Sequence, residues 1–303
     1  MKIEKIIIGS RKSKLALIYA EKAKDAIRNI LNVEIKIKEI LTTGDQNQKE
    51  RLSEIGGKGL FSKNIEIQLI EKKIDIAVHA LKDMPSSETK GLFTGCFLKR
   101  NYSNEVLISK NNIKFEKLKP KSIIGTSSLR REYQLKRKRE DLIFKLIRGN
   151  VDTRIKKLNE GMYDAIILSK AGIDCLKLSE KISDEFSNDD IIPSAGQGII
   201  AIQCRDDDFE MINLLKKIND KETQISAYAE REVLKTLDGD CDTALGVSSL
   251  IKDKKIIIEA ELFSIDGKNR FYIKSEKDLS LATELGKEIG KILKDRSKGS
   301  YKN

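Results

Sequence analysis

Two apolar periods alternate along the first two thirds of the chain, and together they spell α/β units. Residues 5–8, with three consecutive isoleucines, read as a strand that ends at Gly9-Ser10-Arg11. Ser13 is placed to cap the helix that follows, where Ala16, Ala20, Ala23, Ile27, Ile30 and Leu31 recur at spacings of three and four. Val33, Ile35 and Ile37 then alternate with Glu34, Lys36 and Lys38, the pattern of a half-buried strand. Residues 42–59 are polar and glycine-rich, either a plain linker or a mobile lid carrying Lys58 toward a site. A helix is expected over about 60–72. The apolar run Ile74, Ile76, Val78 is a buried strand that must stop before Pro85, which has no N–H for a ladder. A strand over 92–98 and a crossover over 99–104 close this first unit.

A second unit repeats the scheme. Strands are expected at 122–124, 142–147 and 165–168, with a helix opening in Gly125-Thr126-Ser127-Ser128-Leu129-Arg130-Arg131. After the turn Pro193-Ser194-Ala195-Gly196-Gln197-Gly198, the apolar run 199–204 reads as a strand returning to an earlier sheet. The last hundred residues change character. A helix over 223–237 precedes Asp238-Gly239-Asp240-Cys241-Asp242. Ile256, Ile258, Ala260 and Leu262 then alternate with Ile257, Glu259 and Glu261, Asp266-Gly267 signals a hairpin, and Leu281, Leu285, Ile289 and Leu293 mark a closing amphipathic helix. The 297–303 tail is expected to fray. The fold class is α/β: two doubly wound domains plus a small α+β domain with an antiparallel sheet. The expected borders are 1–98 with 199–216, 99–198, and 217–303.

The chemistry gathers at strand ends, where open α/β sheets bind ligands. Asp83 follows a buried strand directly, as either a site carboxylate or a solvated loop charge. Gly9 to Ser13 offers backbone N–H groups to an anion. Three strand ends of the second unit carry Thr126, Ser128, Arg130 and Arg131, then Arg148 and Arg154, then Lys170. Arginine forks match carboxylate or phosphate. The pattern favours a polyanionic ligand over a set of surface ion pairs.

Charge agrees without choosing. The 303 residues carry a net charge of +11, which suits nucleic acid, a membrane surface or a polyacidic small molecule. No apolar run approaches the ~20 residues of a membrane span, and the start is too short for a secretory core, so a cytoplasmic protein is expected. Aromatic residues make up only 5%, too few for a stacking surface that would bind nucleic acid. Cys96, Cys175, Cys204 and Cys241 are widely spaced and His79 is the single histidine, so no metal site is expected. Cys241 differs from the other cysteines in lying in a turn, where an accessible thiolate serves as nucleophile or covalent anchor.

These motifs, in this order, resemble the hydroxymethylbilane synthase (porphobilinogen deaminase) family. The resemblance rests on residues 9–17, 56–61, 75–85, 125–131, 148–154 and 193–198, and on Glu230-Arg231 through Cys241. It implies two lobes like those of periplasmic binding proteins and a third domain carrying the cysteine. It implies a dipyrromethane cofactor held by a thioether at Cys241. The implied reaction is stepwise condensation of four porphobilinogen molecules with loss of ammonia, then hydrolytic release of hydroxymethylbilane. Asp83 takes the catalytic position. Lys82, Asp83, Thr126, Ser128, Arg130, Arg131, Arg148 and Arg154 fall on cofactor-binding positions. Arg11, Ser13, Lys58, Phe61, Arg148 and Arg154 fall on substrate-binding ones. The resemblance implies a monomer whose partner is the small-molecule substrate, without nucleic acid or membrane. A non-catalytic two-lobed anion-binding protein is the alternative. The chain departs from the family at Cys175, where arginine is usual and Lys170 or Lys177 is a possible replacement. It departs also at Tyr19, Asp240, Ala244 and the stretch 102–105.

Overall fold

The computed structural model describes residues 3–46, 59–240 and 242–302. The first lobe is built on β1 (Lys5–Arg11), β2 (Glu34–Ile40), β3 (Ile76–Ala80), β4 (Leu92–Phe97) and β10 (Ile200–Arg205). Their order is β2-β1-β3-β10-β4. β1 runs parallel to β2 and β3, and β10 returns antiparallel between β3 and β4. The second sheet joins β5 (Glu105–Ser109), β6 (Ile123–Gly125), β7 (Ile143–Lys145), β8 (Ala165–Ser169) and β9 (Asp184–Glu185). Its order, β7-β6-β8-β5-β9, repeats the first: three parallel strands, then one antiparallel. The antiparallel strand of each sheet, β5 or β10, follows directly on a crossover between the lobes. Two chain crossings therefore tie the lobes together, and the parallel strands of each point their carboxyl ends into the gap.

Local chemistry sets the helices. In α1 (Lys14–Arg28) the Ser13 hydroxyl accepts from the Ala16 N–H at 3.3 Å, and Tyr19, Ala20, Ala23 and Ile27 form the buried face. That face covers Ile6, Ile8 and Ile202 of the first sheet. α2 (Lys63–Ile70) covers its other side with Ile65 and Leu69. In the second lobe α3 (Leu129–Lys136), α4 (Val151–Asn159) and α5 (Lys170–Cys175) each start at the end of a strand. α6 (Phe209–Ile218) packs back on the first lobe through Met211, Leu214 and Leu215.

The third domain pairs β11 (Leu245–Lys252), β12 (Lys255–Phe263) and β13 (Arg270–Asp278) antiparallel under α7 (Lys221–Thr236) and α8 (Ala282–Ser297). The two helices approach closely at Gly286, where an added Cβ would meet the Ala229 carbonyl at 2.2 Å.

Several expectations shift. The sequence pattern does not mark β5, because Val106-Leu107-Ile108 is too short a run to stand out beside the crossover. α6 was missed as well. β7 is shorter than 142–147, and α2 is shorter than 60–72. The tail does not fray: Tyr301 is buried in the third core, and its hydroxyl donates to the Leu237 carbonyl at 2.7 Å. One aromatic anchor is enough to fix a terminus that composition marks as loose.

Candidate active site

The strand ends of both lobes, with loops of the third domain, enclose a cavity of about 310 Å³. On the first lobe, β3 ends in a single 3₁₀ turn, Leu81–Asp83, terminated before Pro85. That turn sets Asp83 on the cavity wall with its side chain 35% exposed. Arg11, at the end of β1, lies with Nη1 3.7 Å from Asp83 Oδ2 and its guanidinium 4.2 Å above the Phe61 ring. Lys82 is drawn inward and donates to Gln197 Oε1 at 3.1 Å. Burial, with Arg131 nearby, pushes the Lys82 ammonium down to about 8 against the opposing pull of Asp83 and Glu105. Ser13 lines the wall while its hydroxyl caps α1.

The second lobe faces this with four arginines. Ser128 caps α3, and the Thr126 hydroxyl accepts from the Ser128 N–H at 3.2 Å. Ser127 and Ser128 lie on the wall, while Thr126 is 2% exposed and braces the turn. Arg130 donates to Glu105 Oε1 at 2.5 Å and to the Ile192 carbonyl at 2.8 Å. Arg131 donates to Glu105 Oε2 at 2.7 Å and to the Ile167 carbonyl at 3.1 Å. Glu105 is fully buried between the two forks, and despite the cost of burial they hold its carboxyl down at about 2. Arg131 Nε is buried with no hydrogen-bond partner among the described residues.

Arg154 donates through Nε to the Gly149 carbonyl at 2.8 Å, and burial beside Arg131 and Arg148 lowers it to about 10. Gly149 has φ +110°, a conformation L side chains avoid, and this lets the loop fold tightly over Thr153. Arg148 is lowered by burial, an effect opposed by Asp242 and reinforced by Arg11. The structure thus brings Arg11, Ser13, Phe61, Lys82, Asp83, Ser128, Arg130, Arg131, Arg148 and Arg154 to one cavity.

Lys58 and Cys241 fall outside the described residues. The chain neighbours of Cys241, Asp240 and Asp242, both line the cavity. His79 is buried, and burial drives it down to about 4, so it is neutral near pH 7. Cys175, where the resemblance implies an arginine, accepts from Lys22 Nζ at 3.4 Å. Lys170 is engaged elsewhere, with Glu185 at 2.6 Å and over the Tyr102 ring at 4.0 Å. Sequence reasoning missed Glu105. A charged residue opening the apolar run Val106-Leu107-Ile108 is the signal that would have marked it as a buried carboxylate needing a cation.

Comparison with known proteins decides the family. A family model described as porphobilinogen deaminase, dipyromethane cofactor binding domain, matches residues 6–213, and the model of the C-terminal domain matches 224–295. Porphobilinogen deaminase of Macrococcus caseolyticus is 41% identical over 293 residues, covering 96% of this chain and 95% of that protein. That of Staphylococcus aureus strain MRSA252 is 41% identical over 303 residues, covering 99% and 97%.

The chain belongs to the porphobilinogen deaminase family.

It is therefore an enzyme, a transferase of tetrapyrrole biosynthesis with a dipyrromethane cofactor, and not a non-catalytic anion-binding protein. Among solved structures, it is similar to a Salmonella typhimurium periplasmic binding protein of high arginine specificity. That match has 15% identity and a TM-score of 0.41, over 74% of this chain and 97% of that one. The Bordetella pertussis BvgS periplasmic VFT2 domain matches with 12% identity and a TM-score of 0.43, over 75% and 92%. Among the described residues, no helix is long and apolar enough to cross a membrane.

Proposed function

We propose that the interlobe cavity is where four porphobilinogen molecules are condensed with loss of ammonia, with Asp83 as the catalytic carboxylate and the arginines as carboxylate clamps. The observation that carries this reading is the facing arrangement itself: Asp83 with Arg11 and Lys82 on one lobe and four arginines on the other, around one cavity.

The residues present fit a dipyrromethane. Each pyrrole bears an acetate and a propionate, and such a group needs several fork-like donors in a confined space. Arg148, Arg154 and Lys82 line the wall, and the Arg131 Nε has no hydrogen-bond partner among the described residues. Cys241, flanked by two wall residues, would hold the group through a thioether. Bound there, the dipyrromethane supplies the pyrrole carbon to which substrate is joined.

The chain's own side chains do the rest. When ammonia leaves porphobilinogen, the substrate ring becomes electron-poor and positive. Asp83 accepts hydrogen bonds from pyrrole N–H groups and stabilises that charge. Arg11 holds Asp83 in place and, packed on Phe61, presents a fork to a substrate carboxylate. Ser13 and Ser128 keep the two helix starts ordered, so that backbone N–H groups face the anion. Lys58 enters this scheme as a substrate contact from the adjoining loop. Thr126 acts through the Ser128 turn. We place the domain borders at 1–98 with 199–216, 99–198 and 217–303. The working unit is taken as a cytoplasmic monomer needing neither nucleic acid nor membrane.

The test is the denatured intact mass of the purified protein beside Cys241→Ser. A mass excess of two linked pyrrole units is expected in the wild type and absent from the variant. The same excess in both would refute the anchor at Cys241.

A further inference from the structure

A second cavity, of about 250 Å³, lies behind the Asp83 turn, between the first lobe and α7. Leu81, Met84, Phe97 and Tyr228 give it an apolar wall, with Phe97 and Tyr228 edge to face at 5.4 Å. Two buried polar groups interrupt that wall. Glu66 is 5% exposed and accepts from Thr89 Oγ1 at 2.9 Å and Gln203 Nε2 at 3.3 Å. It makes no ion pair among the described residues. Thr94 is also 5% exposed, and its Oγ1 has no hydrogen-bond partner among the described residues.

A buried carboxylate without a cation is costly, and an orphaned hydroxyl adds to that cost. The other charges on the wall do not supply the missing cation. Glu88 and Glu232 add acid. Arg231 is committed to the Leu81 and Met84 carbonyls, each at 3.2 Å, and to the Pro85 carbonyl. Lys235 lies 3.9 Å from Glu232. What the cavity lacks is a compact hydrogen-bond donor with positive charge, attached to an apolar body that fills the space against the rings.

We propose that this cavity is a regulatory site for a small organic ammonium ion, a primary amine on an aromatic or aliphatic body. The ammonium pairs with Glu66 and satisfies Thr94, and the body packs on Leu81 and Met84. Those two residues flank the far side of the turn that carries Asp83, and their carbonyls are the ones Arg231 holds. An occupant there shifts the catalytic turn without entering the main cavity. It lowers kcat and leaves KM unchanged. The inhibition rests on the role of Asp83; the binding does not.

The experiment is calorimetric titration of the holoenzyme with 2-phenylethylamine, with 2-phenylethanol as the uncharged control, followed by inhibition kinetics. Glu66→Gln and Thr94→Val are the variants, each checked by thermal melting. The amine is expected to bind at least tenfold more tightly than the alcohol. Glu66→Gln should weaken the amine at least tenfold and Thr94→Val several-fold, with activity in the absence of amine unchanged. Inhibition should be noncompetitive with porphobilinogen. Three results would each overturn the proposal: no binding, equal affinity for amine and alcohol, or competitive inhibition insensitive to both substitutions, which would put the amine in the main cavity. Should Glu66→Gln not fold, Thr94→Val and the alcohol still decide it.

Discussion

The two edges that face each other across the main cavity are built alike and charged differently. Each is the carboxyl end of three parallel strands. The first lobe puts one carboxylate there, half open to the cavity and steadied by Arg11. The second puts four arginines there, and these divide again. Arg130 and Arg131 clasp the buried Glu105, so their charge is largely spent inside the lobe. Burial works against the charge of Arg130 as it does against Arg148 and Arg154, but neither of the last two is bonded to Glu105. On the proposed reading, an arginine bonded to a buried carboxylate is a beam of the scaffold, and one that is not is a clamp for ligand. Topology alone does not say which.

That division is open to breakage. Glu105→Ala leaves two buried guanidiniums without a counter-charge, so stability should fall by about 3–5 kcal/mol. The check is denaturant unfolding with unchanged m-value. A loss below about 1 kcal/mol would show that the pair is not structural. A smaller effect, on a different quantity, is expected from Arg154→Leu. It removes a charge-assisted contact of about 1.5–3 kcal/mol, so KM for porphobilinogen should rise roughly tenfold to a hundredfold while the melting temperature scarcely moves. A drop in melting temperature with KM unchanged would transfer Arg154 to the scaffold.

The mildest effect concerns pH. Lys82 has its ammonium lowered to about 8. It is cationic below that value and neutral above it, and the cationic form is the one that favours bound carboxylates. KM should therefore rise as pH passes upward through about 8, and Lys82→Arg should flatten the rise. A profile identical in both proteins would remove Lys82 from the carboxylate site.

Most of the architecture was legible, for definite reasons. Buried parallel strands announce themselves as apolar runs, and α1 and α8 as three-and-four spacings. Asp83, Arg11 and the arginines after β6 and β7 stood out because polar residues broke those runs abruptly. Other features depend on distance in space. Glu105 meets Arg130 and Arg131 across 25 and 26 residues of chain, a separation no local pattern encodes. β5 was hidden for the same reason: its three apolar residues matter only once β8 and β9 flank them. Thr126 looked like a ligand donor, yet its hydroxyl closes a turn. Tyr301 looked like part of a loose tail, yet it fills the third core.

The central claim is that one carboxylate, Asp83, supports the chemistry while the opposite edge only holds. The direct measurement is the turnover number of Asp83→Asn at saturating porphobilinogen, on protein whose denatured mass shows the cofactor attached and whose melting temperature matches the wild type. A neutral amide cannot stabilise a cationic ring, so a fall of about 10³-fold is expected. Turnover within a few-fold of the wild type would contradict the account.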